Sequence, residues 1–252
     1  MATRHTRQTL ASDLTALGVE AGDTLFIHSS FKSLGPVEGG AGAIISAMED
    51  AVGPDGLILM PSFNMTFPFT ERDRRAEVWD LATTPSAVGW LTEHFRKMHG
   101  THRSDHHSHS VAARGNGAAE FVDGHRSREG HSSPWETGTS GKAFGLNSPM
   151  CRAYESDGKL LMLGTTYDSS TYIHFTEVLY WSRLKERGLD VVYPFLKRPV
   201  VGDFWERNRK PDVAKVGDAD CRLFGIREYV HGILAELDEN PLPYLRLWID
   251  PA

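Results

Sequence analysis

His174 is the residue in this sequence best placed for acid–base work. Thr171, His174 and Glu177 are spaced i, i+3, i+6, and residues three apart share one face of a helix. A carboxylate one turn from an imidazole holds its tautomer and raises its basicity. A general base that takes a proton from an ammonium, freeing the amine to attack, needs that arrangement. The same spacing also occurs where a half-buried histidine merely bonds a helix neighbour, and from spacing alone that is the commoner case.

A second candidate closes the apolar run Asp23-Thr24-Leu25-Phe26-Ile27-His28, which opens into Ser29-Ser30-Phe31-Lys32-Ser33-Leu34-Gly35. His28 at such an edge can act on a ligand or simply cap the strand. Ser29, Ser30 and Ser33 with Gly35 offer hydroxyls and backbone N–H groups to a phosphate or a thioester carbonyl. The spacing is neither a P-loop nor G-x-G-x-x-G, so the loop carries no nucleotide fingerprint. His102, His106, His107 and His109 invite a catalytic zinc. They match neither H-E-x-x-H nor a zinc-finger pattern and have no cysteine nearby, so a polar loop is the commoner explanation and no metal is expected. Arg103 beside them can pair with a phosphate. Cys151 and Cys221 sit among ordinary neighbours and read as structural free thiols. There is no G-x-S-x-G elbow. The stretch from Phe63 to Trp79, with Glu71, Asp73 and Glu77, can meet a cationic sugar, although solvated charge is the default for each.

These residues need elements to hold them. Periodicity predicts helices over Thr6 to Leu17, Gly40 to Val52, Pro85 to Met98, Thr171 to Glu186 and Cys221 to Leu237. Short apolar runs predict buried strands at Asp23 to His28, Leu57 to Met60 and Lys159 to Leu163, while Val191 to Val201 looks strand-like but is interrupted by Pro194 and Pro199. Gly124 to Ser148 is a long loop of the kind that is usually functional or mobile. Strands alternating with helices indicate an α/β fold. Ligands in such folds gather where strands end and helices begin, and the loops after His28 and after Gly164 both lie at that kind of edge.

The bulk composition is that of a globular protein: 252 residues, 40% hydrophobic and 24% charged, with net charge -6. An acidic chain lacks the basic face that nucleic acid requires. The segment MATRHTRQTLASDL has no apolar signal core, and no run approaches the ~18 apolar residues of a membrane span. A cytoplasmic protein with no nucleic-acid or membrane partner is expected.

Four motifs together resemble the aminoglycoside 3-N-acetyltransferase family. They are Ala16-Leu17-Gly18-Val19 with Asp23 through Gly35; Leu57-Ile58-Leu59-Met60-Pro61-Ser62-Phe63; Arg103 through Ala113; and Ser148-Pro149 with Gly158 through Gly164 and Asp168 through Glu177. Lys215 to Phe224 also fits. His107 stands where the family pattern has proline. The resemblance implies an α/β fold distinct from the commoner acetyltransferase fold, a central mixed sheet flanked by helices, in one domain over 1–252. It implies acetyl-coenzyme A as donor, a small-molecule amine as acceptor, and direct transfer without a covalent enzyme intermediate, in a monomer or homodimer. His174 inherits the role of general base, Glu177 its orientation, and Thr171 a helping position. His28, Ser29, Ser30, Phe31, Ser33, Leu34, Gly35, Arg103, Ser104 and Ser110 would line the coenzyme site. Phe63, Asn64, His131, Tyr167 and Asp168 would meet the acceptor. The expected acceptor is the 3-amino group of an aminoglycoside's deoxystreptamine ring. A biosynthetic amino sugar or aminophosphonate is the alternative, and a metal-dependent hydrolase built on His102 to His109 a more distant one.

Overall fold

The run ending at His28 is apolar at consecutive positions because strand β1 (Thr24–Ser29) is covered on both faces. In the computed structural model, which describes residues 4–134, 136 and 141–246, β1 lies between β2 (Leu57–Pro61) and β5 (Lys159–Leu163), parallel to both. Outside this parallel centre the pairing turns antiparallel. β4 (Val111–Gly115) follows β2, and β3 (His102–Arg103) closes that edge. β7 (Ala219–Gly225) follows β5, and β6 (Asp212–Val216) closes the other. The order β3-β4-β2-β1-β5-β7-β6 is a seven-stranded mixed sheet.

Successive residues of a strand face opposite sides, and the sheet divides its core accordingly. Leu25, Ile27, Ile58, Met60, Leu161 and Leu163 pack with α1 (Arg7–Leu17), α2 (Gly40–Val52) and α3 (Trp90–Arg96). Phe26, Leu59, Leu160, Met162 and Phe224 pack on the other side with α4 (Ala118–Val122), α5 (Pro149–Glu155), α6 (Thr171–Glu186), α7 (Arg198–Arg209) and α8 (Ile226–Glu239). His28 shares the Phe26 face, their rings 5.5 Å apart, so β1 delivers its imidazole to the α6 layer.

Three expectations change. The helix over Pro85 to Met98 is confined to α3, because Gly89 at φ 137° starts it late. Residues 191–197 are irregular, and Arg198 opens a helix instead of continuing a strand. Pro199 falls in that helix's first turn, where its missing N–H costs nothing. Cys221 to Gly225 belongs to β7 and not to the last helix, which begins at Ile226, so Cys221 is a sheet residue. Both cysteines are free and buried, and burial raises their thiols, Cys151 to about 11.

Candidate active site

Helix α6 has no side-chain cap at its N-cap residue, Ser170. The first N–H groups of a helix have no partner within it; here that of Thr171 donates to His28 Nε2 at 3.1 Å. The end of β1 thus holds the start of α6. His28 is 5% exposed, and burial, with the charge of Arg198, pushes its imidazole down to about 3. It is a neutral acceptor with that nitrogen already engaged.

One turn along, His174 Nδ1 lies 2.7 Å from Glu177 Oε2. Glu177 is 1% exposed, and its other oxygen accepts the Leu196 N–H at 2.8 Å. Both carboxylate oxygens are therefore fixed, and the imidazole is held in the tautomer that carries its proton on Nδ1. His174 lines a cavity of about 750 Å³, and its Nε2 accepts a hydrogen bond from Arg198 Nη2, which lines the same cavity. Nη1 of the same guanidinium donates to the Asp168 carbonyl.

Of the residues expected from sequence, His28, Ser29, Phe63, Asp168, Thr171, His174 and Glu177 come together on the cavity wall. The Ser29 hydroxyl is buried there with no hydrogen-bond partner among the described residues. The rest of the serine loop shapes the turn and does not line the cavity. The Ser30 N–H is spent on the Leu163 carbonyl, and the Ser33 hydroxyl donates to the Ser30 carbonyl. Leu34 lies in the α1–α2 core and Phe31 packs on Trp90. Gly35 sits at φ +76°, where a Cβ would meet the Asp218 carboxylate. Asn64 is buried and bridges the Arg75 and His107 carbonyls. Tyr167 lies in the α7–α8 core with its hydroxyl on Glu206. His131 stays outside the cavity, although Ser133 and Glu136 of its loop line it. Trp135 and the side chain of Asp73 lie outside the described residues. Glu71 and Glu77 both pair with Arg74.

Arg103 is engaged within the chain. Its guanidinium donates to the carbonyls of Ser62, Leu81 and Thr84 and to the Ser110 hydroxyl, and stacks over Trp79. It ties three loops together, and burial lowers its pKa to about 10. Ser104 and Ser110 are fully buried; Ser104 accepts from the Val111 N–H and bonds His125. Removing Arg103 strands buried carbonyls, so Arg103→Ala should lower unfolding stability by roughly 3 kcal/mol. A thermal melt beside donor titrations checks this; a raised KM for donor at unchanged stability would instead mark a ligand contact.

The histidine loop is an internal network. His106 donates through Nε2 to the Gly141 carbonyl at 3.1 Å and accepts the His109 N–H at 3.0 Å through Nδ1. It stacks on His107 and on His125, which sequence reasoning missed. Among the described residues no group of three His, Cys, Asp or Glu side chains could hold a metal ion. Arg75, Glu136, Arg198 and Arg246 also line the cavity unforeseen. Only Arg198 carried a usable sign, the adjacent Pro199 of a helix start.

The family model for aminoglycoside 3-N-acetyltransferase matches residues 26–237. The SPbeta prophage-derived aminoglycoside N(3')-acetyltransferase-like protein YokD of Bacillus subtilis is 30% identical, over 90% of each chain. Aminoglycoside N(3)-acetyltransferase III of Serratia marcescens is 33% identical over 69% of this chain and 65% of its own. The crystal structure of an aminoglycoside acetyltransferase AAC(3)-IVa variant in complex with a gentamicin superimposes with TM-score 0.77 at 26% identity, covering 98% of this chain and 93% of that one. The fold described above is thus shared with solved aminoglycoside acetyltransferases.

Proposed function

The chain belongs to the aminoglycoside 3-N-acetyltransferase family, and we propose that it transfers the acetyl group of acetyl-coenzyme A to the 3-amino group of an aminoglycoside's deoxystreptamine ring, with His174 as general base. The observation that carries this reading is the His174–Glu177 pair, its second ring nitrogen turned to a cavity of about 750 Å³. That volume falls in the range of small-molecule sites. The unpartnered Ser29 hydroxyl offers the donor a hydrogen bond on the same wall.

In the proposed reaction the acceptor ammonium gives a proton to His174 Nε2, and Glu177 accepts from Nδ1 as the ring becomes cationic. The freed amine attacks the thioester carbonyl directly. The Ser29 hydroxyl, left open on the cavity wall, assists the developing charge. Neutral Gln at 177 keeps the shape of this contact and loses its charge. Glu177→Gln should therefore lower kcat by about 10-fold and shift the pH–rate profile. An unchanged profile would count against the orienting role.

The direct test is thiol release from acetyl-coenzyme A across a panel of aminoglycosides that includes apramycin and gentamicin. Rapid release with any of them supports the reading. No release with the whole panel, while coenzyme A still stabilises the protein, removes the aminoglycoside acceptor. One feature favours a second acceptor class, a biosynthetic amine that carries an acidic group. The cavity wall bears Arg75, Arg198 and Arg246, while two of its three carboxylates, Glu136 and Glu177, are engaged by backbone N–H groups. An aminophosphonate in the same panel separates the two.

A further inference from the structure

Arg198 stands where the acceptor amine has to be. His174 Nε2 has one lone pair and gives it to the Arg198 Nη2–H, so the nitrogen meant to take a proton is covered in the free protein. A guanidinium does not ionise at working pH and cannot relay a proton. Its position is also well determined. Nη1 is held by the Asp168 carbonyl, and the chain two residues before Arg198 is pinned by the Leu196 N–H to Glu177, the carboxylate that orients His174. One carboxylate thus sets the base and the cation against each other.

We infer that Arg198 is a second catalytic residue, a cover for the base that becomes the donor to the oxyanion once the amine displaces it. This rests on the reading of His174 as general base. The incoming amine takes over the hydrogen bond at Nε2 and releases Nη2, while Nη1 stays on Asp168. The carbonyl under attack is one bond from the amine nitrogen, so its oxygen develops charge within reach of the freed N–H. Donors fixed where charge appears lower the barrier most. As the nitrogen–carbon bond forms, the carbonyl electron pair moves to oxygen beside Arg198. It returns as the carbon–sulfur bond breaks; the leaving sulfur takes the pair and then the proton that His174 had accepted, and the freed imidazole takes the second proton from the acylated nitrogen and passes it to solvent.

Two measurements test this. Arg198→Ala should lower kcat ~10²–10³-fold with a much smaller change in acceptor KM, the loss typical of a missing oxyanion donor. Added methylguanidinium should restore part of it, and Arg198→Lys should fall between. In the ligand-free protein, diethyl pyrocarbonate read by peptide mass spectrometry should modify His174 several-fold faster in Arg198→Ala and Arg198→Lys than in the native chain. The rate at exposed His102 should stay the same. A near-native kcat, or a loss without rescue and with unchanged His174 reactivity, overturns the inference. If His174→Ala keeps its turnover, the base reading fails first; if it loses turnover while Arg198→Ala does not, only Arg198 falls.

Discussion

His174→Ala should lower turnover by ~10²-fold or more, with KM for acetyl-coenzyme A nearly unchanged. The imidazole is held by Glu177 on one nitrogen and turns the other to Arg198, which shares the cavity wall. His28 spends Nε2 on the start of α6, and His106 spends both nitrogens on backbone groups. Neither can substitute. The His174 side chain is 31% exposed and outside the apolar core, so its removal should hardly move the melting temperature. Single-turnover assays beside a thermal melt provide the check; near-normal turnover in a folded variant would remove His174 from the mechanism.

Stability should fall steeply as pH drops from about 6.5 towards 5. His28, His106 and His125 are buried at 5%, 2% and 1% exposure. Burial holds His28 down to about 3, His125 to about 4, and His106 well below the usual imidazole range. The unfolded chain takes up protons on these rings below about 6.5 while the native state refuses them. Their contribution is thus fully present above about 6.5 and is lost as pH falls towards the folded values. Each ring costs about 1.4 kcal/mol per pH unit in that window, so the three together remove ~4 kcal/mol per unit. Between pH 6.5 and 5 this removes roughly 6 kcal/mol, comparable with the lower end of a typical total of about 5–15 kcal/mol, so the melting temperature should drop sharply across that window. Melting temperature recorded from pH 8 to 5 reads this directly, and His125→Gln should reduce the slope by one proton. A flat curve would contradict the buried-neutral assignment.

The His174–Glu177 contact was legible because both residues lie within one turn of one helix, where spacing alone brings them together. Strands β1, β2 and β5 showed as apolar runs, since strands buried on both faces have no polar alternation to disguise them. What escaped depended on distant partners. Arg103 meets three carbonyls only because the Ser62, Leu81 and Thr84 loops return to it, and no local pattern shows that return. Arg198 reaches His174 across 24 residues and the irregular segment before α7, so no local pattern linked them. Strand β7 was hidden because Leu223 falls in step with the helical spacing of Ile226, Tyr229, Val230 and Ile233 that follows it. His125 lay alone in a loop, with nothing to announce its stack on His106.

The pairing of β1 with β5 has a consequence for how the protein is made. Leu25 lies opposite Lys159 and Ser29 opposite Leu163. During synthesis from the N-terminus, everything from β1 through β5 must leave the ribosome before the middle of the sheet can close. Until then β1 is an exposed edge of a half-sheet built from β2, β3 and β4, with an apolar face awaiting α6. Unpaired edges of that kind invite association with other chains. That edge is therefore open between the emergence of β4 and that of β5, and the cavity wall that carries His174 and Arg198 is completed only after β5 has paired.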